Sequence, residues 1–431
     1  MSRLLAMIVL LLLGISTLMG KRRLKFPSPT NYRYFFLSLF FLLAVASGFV
    51  GFLIDAYSIR NYLPASTQSF IATFLNSAFL RPIFEYVILL YYIFYFSVLP
   101  LVLFRHEKDI IYFFKAFFFV FNLSLIVGLI DLITVSQYDI SITGRYLYEW
   151  YYSGPRNVGV RFHGFFGEPR DAFVVLGLGA GLYFLRSITI YKPQKKYYYI
   201  LLIVCAFLTR STSGIIGVII FVAIYLVIGV LRGKTVITTV IIVALTGAAS
   251  YFAVAFTPRV LMKYGVLLDI PALFSAGADL TAPNLAVNIY PLIWIVDNLK
   301  QFNPLPFLFG GGLGVSSHVI NTYSGLGEFS NPNANVIRVL CETGVVGFIV
   351  YVLAFYYPVR KAMKGFSSRI SGRSIFFSVL VLSLSLGQRN PANFIFLGVF
   401  FAMMEVLNTR NQANLVAHRR RVSGAKIGSE K

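Results

Sequence analysis

The stretch IIYFFKAFFFVFNLSLIVGLIDLI, residues 110–133, is almost entirely apolar. A helix needs about 20 apolar residues to cross the hydrocarbon core of a bilayer, which is roughly 30 Å thick. Across all 431 residues, 58% are apolar and only 13% are charged, against about a quarter charged in an ordinary soluble domain. The sequence therefore predicts an integral membrane protein.

Apolar runs of this kind recur along the whole chain. A β-barrel would show weakly alternating segments of about ten residues instead, so we interpret the runs as helices. They lie near 4–19, 34–53, 83–104, 110–133, 171–190, 197–209, 213–231, 235–256, 336–358, 374–387 and 391–408. The prediction is an all-α polytopic membrane protein with about 11 (10–12) transmembrane helices, residues 1–431 forming a single integral membrane domain.

Basic residues cluster in the short connections on one side of this arrangement. Lys and Arg accumulate in cytoplasmic loops, so this side is predicted to be the cytoplasm. The clusters lie at 21–25, 105–108, 191–196, 232–234, 359–373 and in the basic tail 409–431. The net charge of +22 is thus interpreted as a topology signal, and no nucleic-acid partner is expected.

Two long segments fall on the external side, at about 134–170 and 257–335. Both are too long to be simple turns, and we expect these external loops to hold the functional site. The part of the second loop that contains His318 and Asn321 is predicted to be flexible. On this topology eleven arginines are external: Arg3, Arg60, Arg81, Arg145, Arg156, Arg161, Arg170, Arg210, Arg259, Arg338 and Arg389.

External arginines at the mouths of helices suit an anionic ligand held at the membrane. A guanidinium makes bidentate hydrogen bonds to phosphate and stays charged when partly buried. Arg170 and Asp171 open the fifth predicted helix, and Arg338 lies one turn into the ninth. Arg210 lies in the turn LTRSTSG. The alternative is that these arginines reach lipid headgroups from the ends of helices.

Four short motifs follow one another between residues 161 and 347. They are R-x-x-G-x-x-x-E-P (Arg161, Gly164, Glu168, Pro169), L-T-x-S (Leu208, Thr209, Ser211), GGGLG (310–314) and E-T-G-x-x-G (Glu342, Thr343, Gly344, Gly347). In this order the motifs resemble the O-antigen ligase and polymerase superfamily of bacterial membrane glycosyltransferases. The resemblance implies a fold like that of the GT-C glycosyltransferases.

Two positions depart from the superfamily pattern. Ligases of this kind carry a His-Asn pair nine residues before the Glu of E-T-G, whereas Asn333 stands here without the His. An arginine expected after the serine of L-T-x-S is replaced by Thr212, and Arg210 lies before that serine. The missing His favours the O-antigen polymerases.

The resemblance to a polymerase implies a specific substrate and location. Such enzymes join oligosaccharide repeat units carried on undecaprenyl pyrophosphate, at the periplasmic face of the bacterial inner membrane. The implied partners are this lipid-linked oligosaccharide, membrane lipids and a regulator of polysaccharide chain length. No cofactor is implied, because the energy is stored in the anomeric pyrophosphate linkage.

Such a transfer needs cations for the leaving pyrophosphate and a base for the attacking hydroxyl. The expected substrate ligands are Arg161, Arg170, Arg210, Arg259, Arg338 and Asn333. The candidate bases are Glu168, Asp171, His318 and Glu328, with Glu168 first among them. An ion pair between Arg161 and Glu168 is an equally simple interpretation. His163 lies outside the matched motif and is given no role.

The sequence has no Asp-x-Asp pair and no His/Cys cluster, so we expect no metal site and a metal-independent transfer. Two alternatives stay open. One is a ligase that transfers finished glycan to lipid A core or to protein. The other, from a different class, is a flippase or transporter of lipid-linked oligosaccharide, although transporters place polar groups near the midplane of the membrane and often show internal repeats.

Overall fold

The structure is a computed structural model, and it describes most of the helices that the sequence predicts. The described residues are 32–54, 80–93, 104, 107–138, 161–166, 169–189, 195–209, 211–231, 283–324, 332, 334–363, 368–387, 398–400, 402–404 and 406. Among them the backbone is helical or in short turns, and no residue of these ranges lies in a strand. The all-helical fold class is therefore confirmed for this part of the chain.

The helices are numbered here in chain order. They are α1 (Tyr32–Leu53), α2 (Leu80–Ile93), α3 (Glu107–Tyr138), α4 (Pro169–Thr189), α5 (Lys196–Leu208), α6 (Thr212–Leu231), α7 (Pro283–Lys300), α8 (Leu305–Phe309), α9 (Val315–Ser324), α10 (Asn335–Met363) and α11 (Ser368–Gly387). One 3₁₀ turn, Gly164–Phe166, precedes α4.

Among the described helices, two are long and apolar enough to cross a membrane. They comprise the 29 residues Glu107–Val135 of α3 and the 23 residues Asn335–Tyr357 of α10. Shorter apolar helical stretches lie at Phe35–Gly51, Tyr197–Leu208 and Ser374–Gly387. The observed architecture is therefore helical with two helices of membrane-crossing character.

Most of the apolar runs in the sequence coincide with an observed helix. The runs near 34–53, 110–133, 171–190, 197–209, 213–231, 336–358 and 374–387 correspond to α1, α3, α4, α5, α6, α10 and α11. Helix α2 covers the first part of the run 83–104. The runs 4–19 and 235–256 lie outside the described residues, and 391–408 is described, as helix, only at 398–400, 402–404 and 406.

Helix α10 lies at the centre of the packing. It contacts α1 along its length and also packs against α7, α8, α9 and α11. Helix α11 continues the assembly by packing on α4 and α6. The buried side chains form one large cluster, and its largest fully buried members are aromatic, such as Phe114, Phe121 and Phe377.

The described part of the segment predicted as the external loop 257–335 contains three helices, α7, α8 and α9. Its described helices bury a separate apolar cluster made of Trp294, Ile295, Val315 and Val319 with Cys341 of α10. Interspersed polar residues keep this segment below the hydropathy of a membrane span, but they do not prevent an amphipathic helix from forming.

His318 shows the same difference between expectation and structure. The expectation that it lies in a flexible loop is wrong, because it lies within α9 and only 7% of it is exposed. Its neighbour Val319 is fully buried on the same helix. In the other predicted loop, 134–170, helix α3 continues to Tyr138 and helix α4 begins at Pro169.

Candidate functional site

Helix α10 is interrupted at Gly344, within the E-T-G-x-x-G motif. Gly344 has φ 66° and ψ −173°, a backbone region that is essentially restricted to glycine. The interruption leaves the carbonyl groups of the preceding turn without the intrahelical partners that a continuous helix supplies. The N–H of Gly311 donates to the carbonyl of Cys341, and the N–H of Gly312 donates to that of Glu342, both at 3.0 Å.

The glycines of the GGGLG motif are required by this close approach. Gly310 has φ 75° and ψ −177°, the same glycine-only conformation as Gly344. A Cβ atom on Gly310 would overlap the backbone of Glu342, and one on Gly344 would overlap the carbonyl of Leu308. The two motifs thus form one unit, held together by contact between their backbones.

A buried cluster of charged side chains adjoins this unit. Nη2 of Arg338 donates to Oε2 of Glu85 at 2.7 Å, and its Nε lies 3.1 and 3.2 Å from the two carboxylate oxygens of Glu342. The hydroxyl of Ser316 donates to Oε1 of Glu342 at 2.7 Å. The cluster therefore joins α2, α9 and α10.

Glu342 faces the beginning of α9. The N–H of Gly314 also donates to its carboxylate, and the first turn of a helix stabilises a negative charge placed there. Glu342 and Ser316 are both buried, and Glu85 is 6% exposed. In this arrangement two nitrogens of Arg338 hold carboxylates of the protein itself, so the arginine predicted as a substrate ligand joins α2 to α10.

Helix α9 is fixed at its other end by α7. The hydroxyl of Tyr323 donates to Oδ2 of Asp297 at 3.1 Å, and the ring of Tyr323 stacks on that of Tyr290 with centroids 5.8 Å apart. Burial, reinforced by the neighbouring Asp297 carboxylate, raises the pKa of Tyr323 to about 12. Tyr323 thus keeps its proton at neutral pH. His318 lies on this anchored helix, two residues after Ser316.

A second polar group lies where residues 161–166 cross α3. Nε2 of His163 is 3.4 Å from Oδ2 of Asp131, and both side chains are buried. Nδ1 of His163 is 3.0 Å from the carbonyl of Gly164. A carbonyl only accepts hydrogen bonds, so Nδ1 carries a proton in this geometry.

The backbone of residues 161–166 is fixed on both sides. The N–H of Phe162 donates to the carbonyl of Leu208 at the end of α5, at 3.0 Å. The N–H of Phe165 donates to the hydroxyl of Ser124 in α3, at 2.8 Å. The first and second motifs of the sequence, at Arg161 and Leu208, are therefore adjacent in the structure.

The predicted site residues fall into three groups. Arg338 belongs to the first cluster, which also contains Glu342, and His318 lies on α9 two residues after Ser316 of that cluster. Arg161, Arg170 and Asp171 lie beside the second group, each of them half-buried, with Arg170 and Asp171 in the first turn of α4. Glu168, Arg210, Arg259, Asn333 and the further base candidate Glu328 lie outside the described residues.

Three buried ionisable residues of these clusters were not among the predicted site residues: Glu85, Asp131 and His163. Glu85 and Asp131 each lie in the interior of an apolar run. An ionisable group at membrane depth is costly and is a functional candidate by default. Applied to acids as well as to arginines, this criterion would have selected Glu85 and Asp131. Asp131 would then have been available as the partner of His163.

No group of three or more His, Cys, Asp or Glu side chains is arranged to hold a metal ion within the described ranges. The polar groups of the two clusters are instead arranged for hydrogen bonding and charge pairing. Comparisons of the chain with protein-family models, with curated proteins and with solved structures find no match.

Substitution of Arg338 by Ala is expected to destabilise the protein by about 3–5 kcal/mol, because Glu85 and Glu342 then stay buried without this cation. The measurement is the apparent melting temperature of the purified protein in detergent. Lys300→Ala is the control, since Lys300 pairs with Asp297 at the surface and such pairs contribute roughly 0–1 kcal/mol. Equal melting temperatures for the two variants would contradict the structural role of Arg338.

Gly344→Ala and Gly344→Asn are both expected to lower the melting temperature strongly. The backbone conformation alone costs either residue on the order of 1–3 kcal/mol, and the overlap with Leu308 adds to this cost. Asn is the informative substitution, because it is tolerated in ordinary left-handed turns. Gly372→Ala in α11 is the control, since a Cβ there meets no atom within 4 Å. A stable Gly344→Asn protein would show that the interruption is an ordinary turn.

Proposed function

We propose that the chain is a polytopic inner-membrane polymerase of oligosaccharide repeat units carried on undecaprenyl pyrophosphate. The observation that carries the proposal is the pairing of motifs that are distant in sequence. GGGLG lies on E-T-G-x-x-G, and the segment that begins with Arg161 lies on the end of α5, where L-T-x-S starts. Motifs that belong to one functional architecture are expected to meet in this way.

The finer architecture belongs to the same proposal. About eleven helices cross the membrane in a GT-C-like arrangement, with the external segments at the periplasmic face. The helical structure and the two membrane-crossing candidates, in α3 and α10, support this arrangement. The basic connections support the orientation, because positive residues stay in the cytoplasm.

The proposed reaction is a transfer between two lipid-linked substrates. A hydroxyl oxygen of the acceptor unit forms a bond to the anomeric carbon of the donor chain. The bond from that carbon to the pyrophosphate oxygen breaks, and the polyprenyl pyrophosphate leaves with the electron pair. A base removes the proton from the attacking hydroxyl.

The second polar group offers residue types suited to this reaction. Arg161 and Arg170 supply guanidinium groups for the departing pyrophosphate, and the beginning of α4 adds the attraction of a helix N-terminus for phosphate. Asp171, beside Arg170 in the same turn, is a base candidate on a described helix. Glu168, His318 and Glu328 are the other candidates.

Purified protein in proteoliposomes is expected to convert lipid-linked repeat units into a ladder of polymers. The units are extracted from the bacterium that encodes the chain after deletion of its gene. Arg170→Ala is expected to shorten the ladder at least tenfold in mean length, because a charge-assisted contact to the leaving group is lost. The readout is gel electrophoresis of the labelled glycan.

The matched control for Arg170 is Arg186→Ala, on the same helix but in its last turn, where the guanidinium lies over the ring of Phe118. This variant is expected to keep the ladder. Absence of any ladder with the unmodified protein would refute the polymerase. If glycan appeared only on lipid A core or protein, the chain would be a ligase, and if single units crossed the bilayer unpolymerised, it would be a flippase.

Polymerisation is expected to continue in excess chelator, because arginines in place of a metal ion neutralise the leaving group. The measurement is the rate of ladder formation with and without EDTA in the same proteoliposomes. A rate that falls in EDTA and returns on addition of Mg²⁺ or Mn²⁺ would contradict the metal-independent reaction. Protein treated with EDTA and then dialysed is the control for irreversible damage.

A further inference from the structure

A row of exposed apolar side chains lies between α7 and the glycine motif. It consists of Phe302, Leu305, Phe307, Leu308 and Phe309, and we name it the apolar shelf. Phe302 is 96% exposed, and each of the other four is exposed by more than a third. Residues 301–317 include no charged side chain. An apolar surface this continuous on a protein marks a contact with an apolar partner.

The backbone of the shelf is held in one conformation. Phe302 adopts φ 58°, which is unusual for a bulky residue. The turn around it is closed by Asn303, whose N–H donates to the carbonyl of Asn298 at 2.9 Å and whose side-chain amide donates to Oδ1 of Asn298 at 3.3 Å. Oδ1 of Asn303 then accepts from the N–H of Leu305 at 3.3 Å.

Irregular backbone survives in a membrane only where its polar groups are bonded within the protein. Several backbone donors in and beside the shelf meet this requirement. The N–H of Leu308 donates to Pro304 and that of Gly310 to Pro306, while Gly311 donates to α10. Pro304 and Pro306 have no N–H to satisfy.

The attachment of the shelf to α10 sets its depth. Leu308 contacts Gly344, which lies nine residues after Asn335, the start of the membrane-crossing stretch that ends at Tyr357. At 1.5 Å per residue this is about 14 Å along the helical limb before the interruption and about 20 Å along the limb after it. The shelf is therefore level with the interior of a candidate membrane span.

A second helix with exposed apolar side chains packs beside the shelf. Helix α8, which carries most of the shelf, packs against α1, whose own exposed residues include Phe49 and Leu53. The charged residues that precede the shelf, Asp297 and Lys300, pair with each other at 3.2 Å. The charge beside the shelf is therefore compensated.

From the depth and from the exposed row of uncharged, apolar side chains, we infer that residues 302–309 are inserted into the bilayer and contact lipid acyl chains. A segment whose place in the sequence is an external loop thus re-enters the membrane beside α10. The partner is lipid hydrocarbon, and the inference is independent of the polymerase activity.

Spin labelling in proteoliposomes of phosphatidylethanolamine and phosphatidylglycerol tests the inference. The variants Phe302→Cys and Phe307→Cys are labelled with a nitroxide, which the buried native Cys205 and Cys341 do not take up in the folded protein. Collision rates are measured with oxygen, which concentrates in hydrocarbon, and with a neutral nickel chelate, which stays in water. Phe49→Cys is the lipid-facing control, and Gln137→Cys, beyond the end of the candidate span in α3, is the water-facing one.

Both shelf labels are expected to collide several-fold more with oxygen than with nickel, relative to the ratio at Gln137, and to match Phe49. A nickel-accessible shelf would overturn the inference. Shielding of both labels from both reagents would overturn it as well, since protein would then cover the shelf. If the Phe302 variant fails to fold, the Phe307 variant gives the same reading, and ladder formation is scored separately in the same vesicles.

Discussion

The close approach of two backbone segments, with Gly310 against Glu342 and Gly344 against Leu308, is the constraint on which this part of the molecule depends. Each glycine adopts a backbone conformation that is open only to glycine. A Cβ atom on either one would overlap the backbone of the other segment. Because the two segments touch at their backbones, α8 and the start of α9 have one position relative to α10. Ser316 then faces Glu342 without further adjustment.

The charged cluster adds specificity to this contact. Forming a buried ion pair contributes little net stability, since desolvation offsets the attraction, whereas removing one partner is costly. Arg338 bonds to Glu85 of α2 and to Glu342 of α10, and Ser316 of α9 donates a hydrogen bond to Glu342. Any other register of α2 or α9 against α10 would separate these charges. The cluster therefore selects one arrangement among several that apolar packing alone would allow.

The sequence predicted where the apolar helices lie better than it predicted which residues contact each other. Long apolar runs identify helices such as α3 and α10 because hydropathy is a local property. Helices α7 to α9 were missed, since their polar residues lower the local average while the buried face is formed only on folding. The roles of Glu85 and Asp131 could not be assigned, because each depends on a residue far along the chain. The two glycine motifs were identified in the sequence, but their contact with each other was not predicted.

The pairing of Arg338 with Glu85 also bears on the order in which the chain is assembled. The two residues are 253 positions apart, so Glu85 is synthesised and its helix placed long before the arginine leaves the ribosome. Segments that are synthesised first fold first. The bond between Glu85 of α2 and Arg338 therefore cannot form until α10 has been synthesised. The junction of α2, α9 and α10 therefore closes late in biogenesis, and a chain truncated before α10 would leave Glu85 without this arginine.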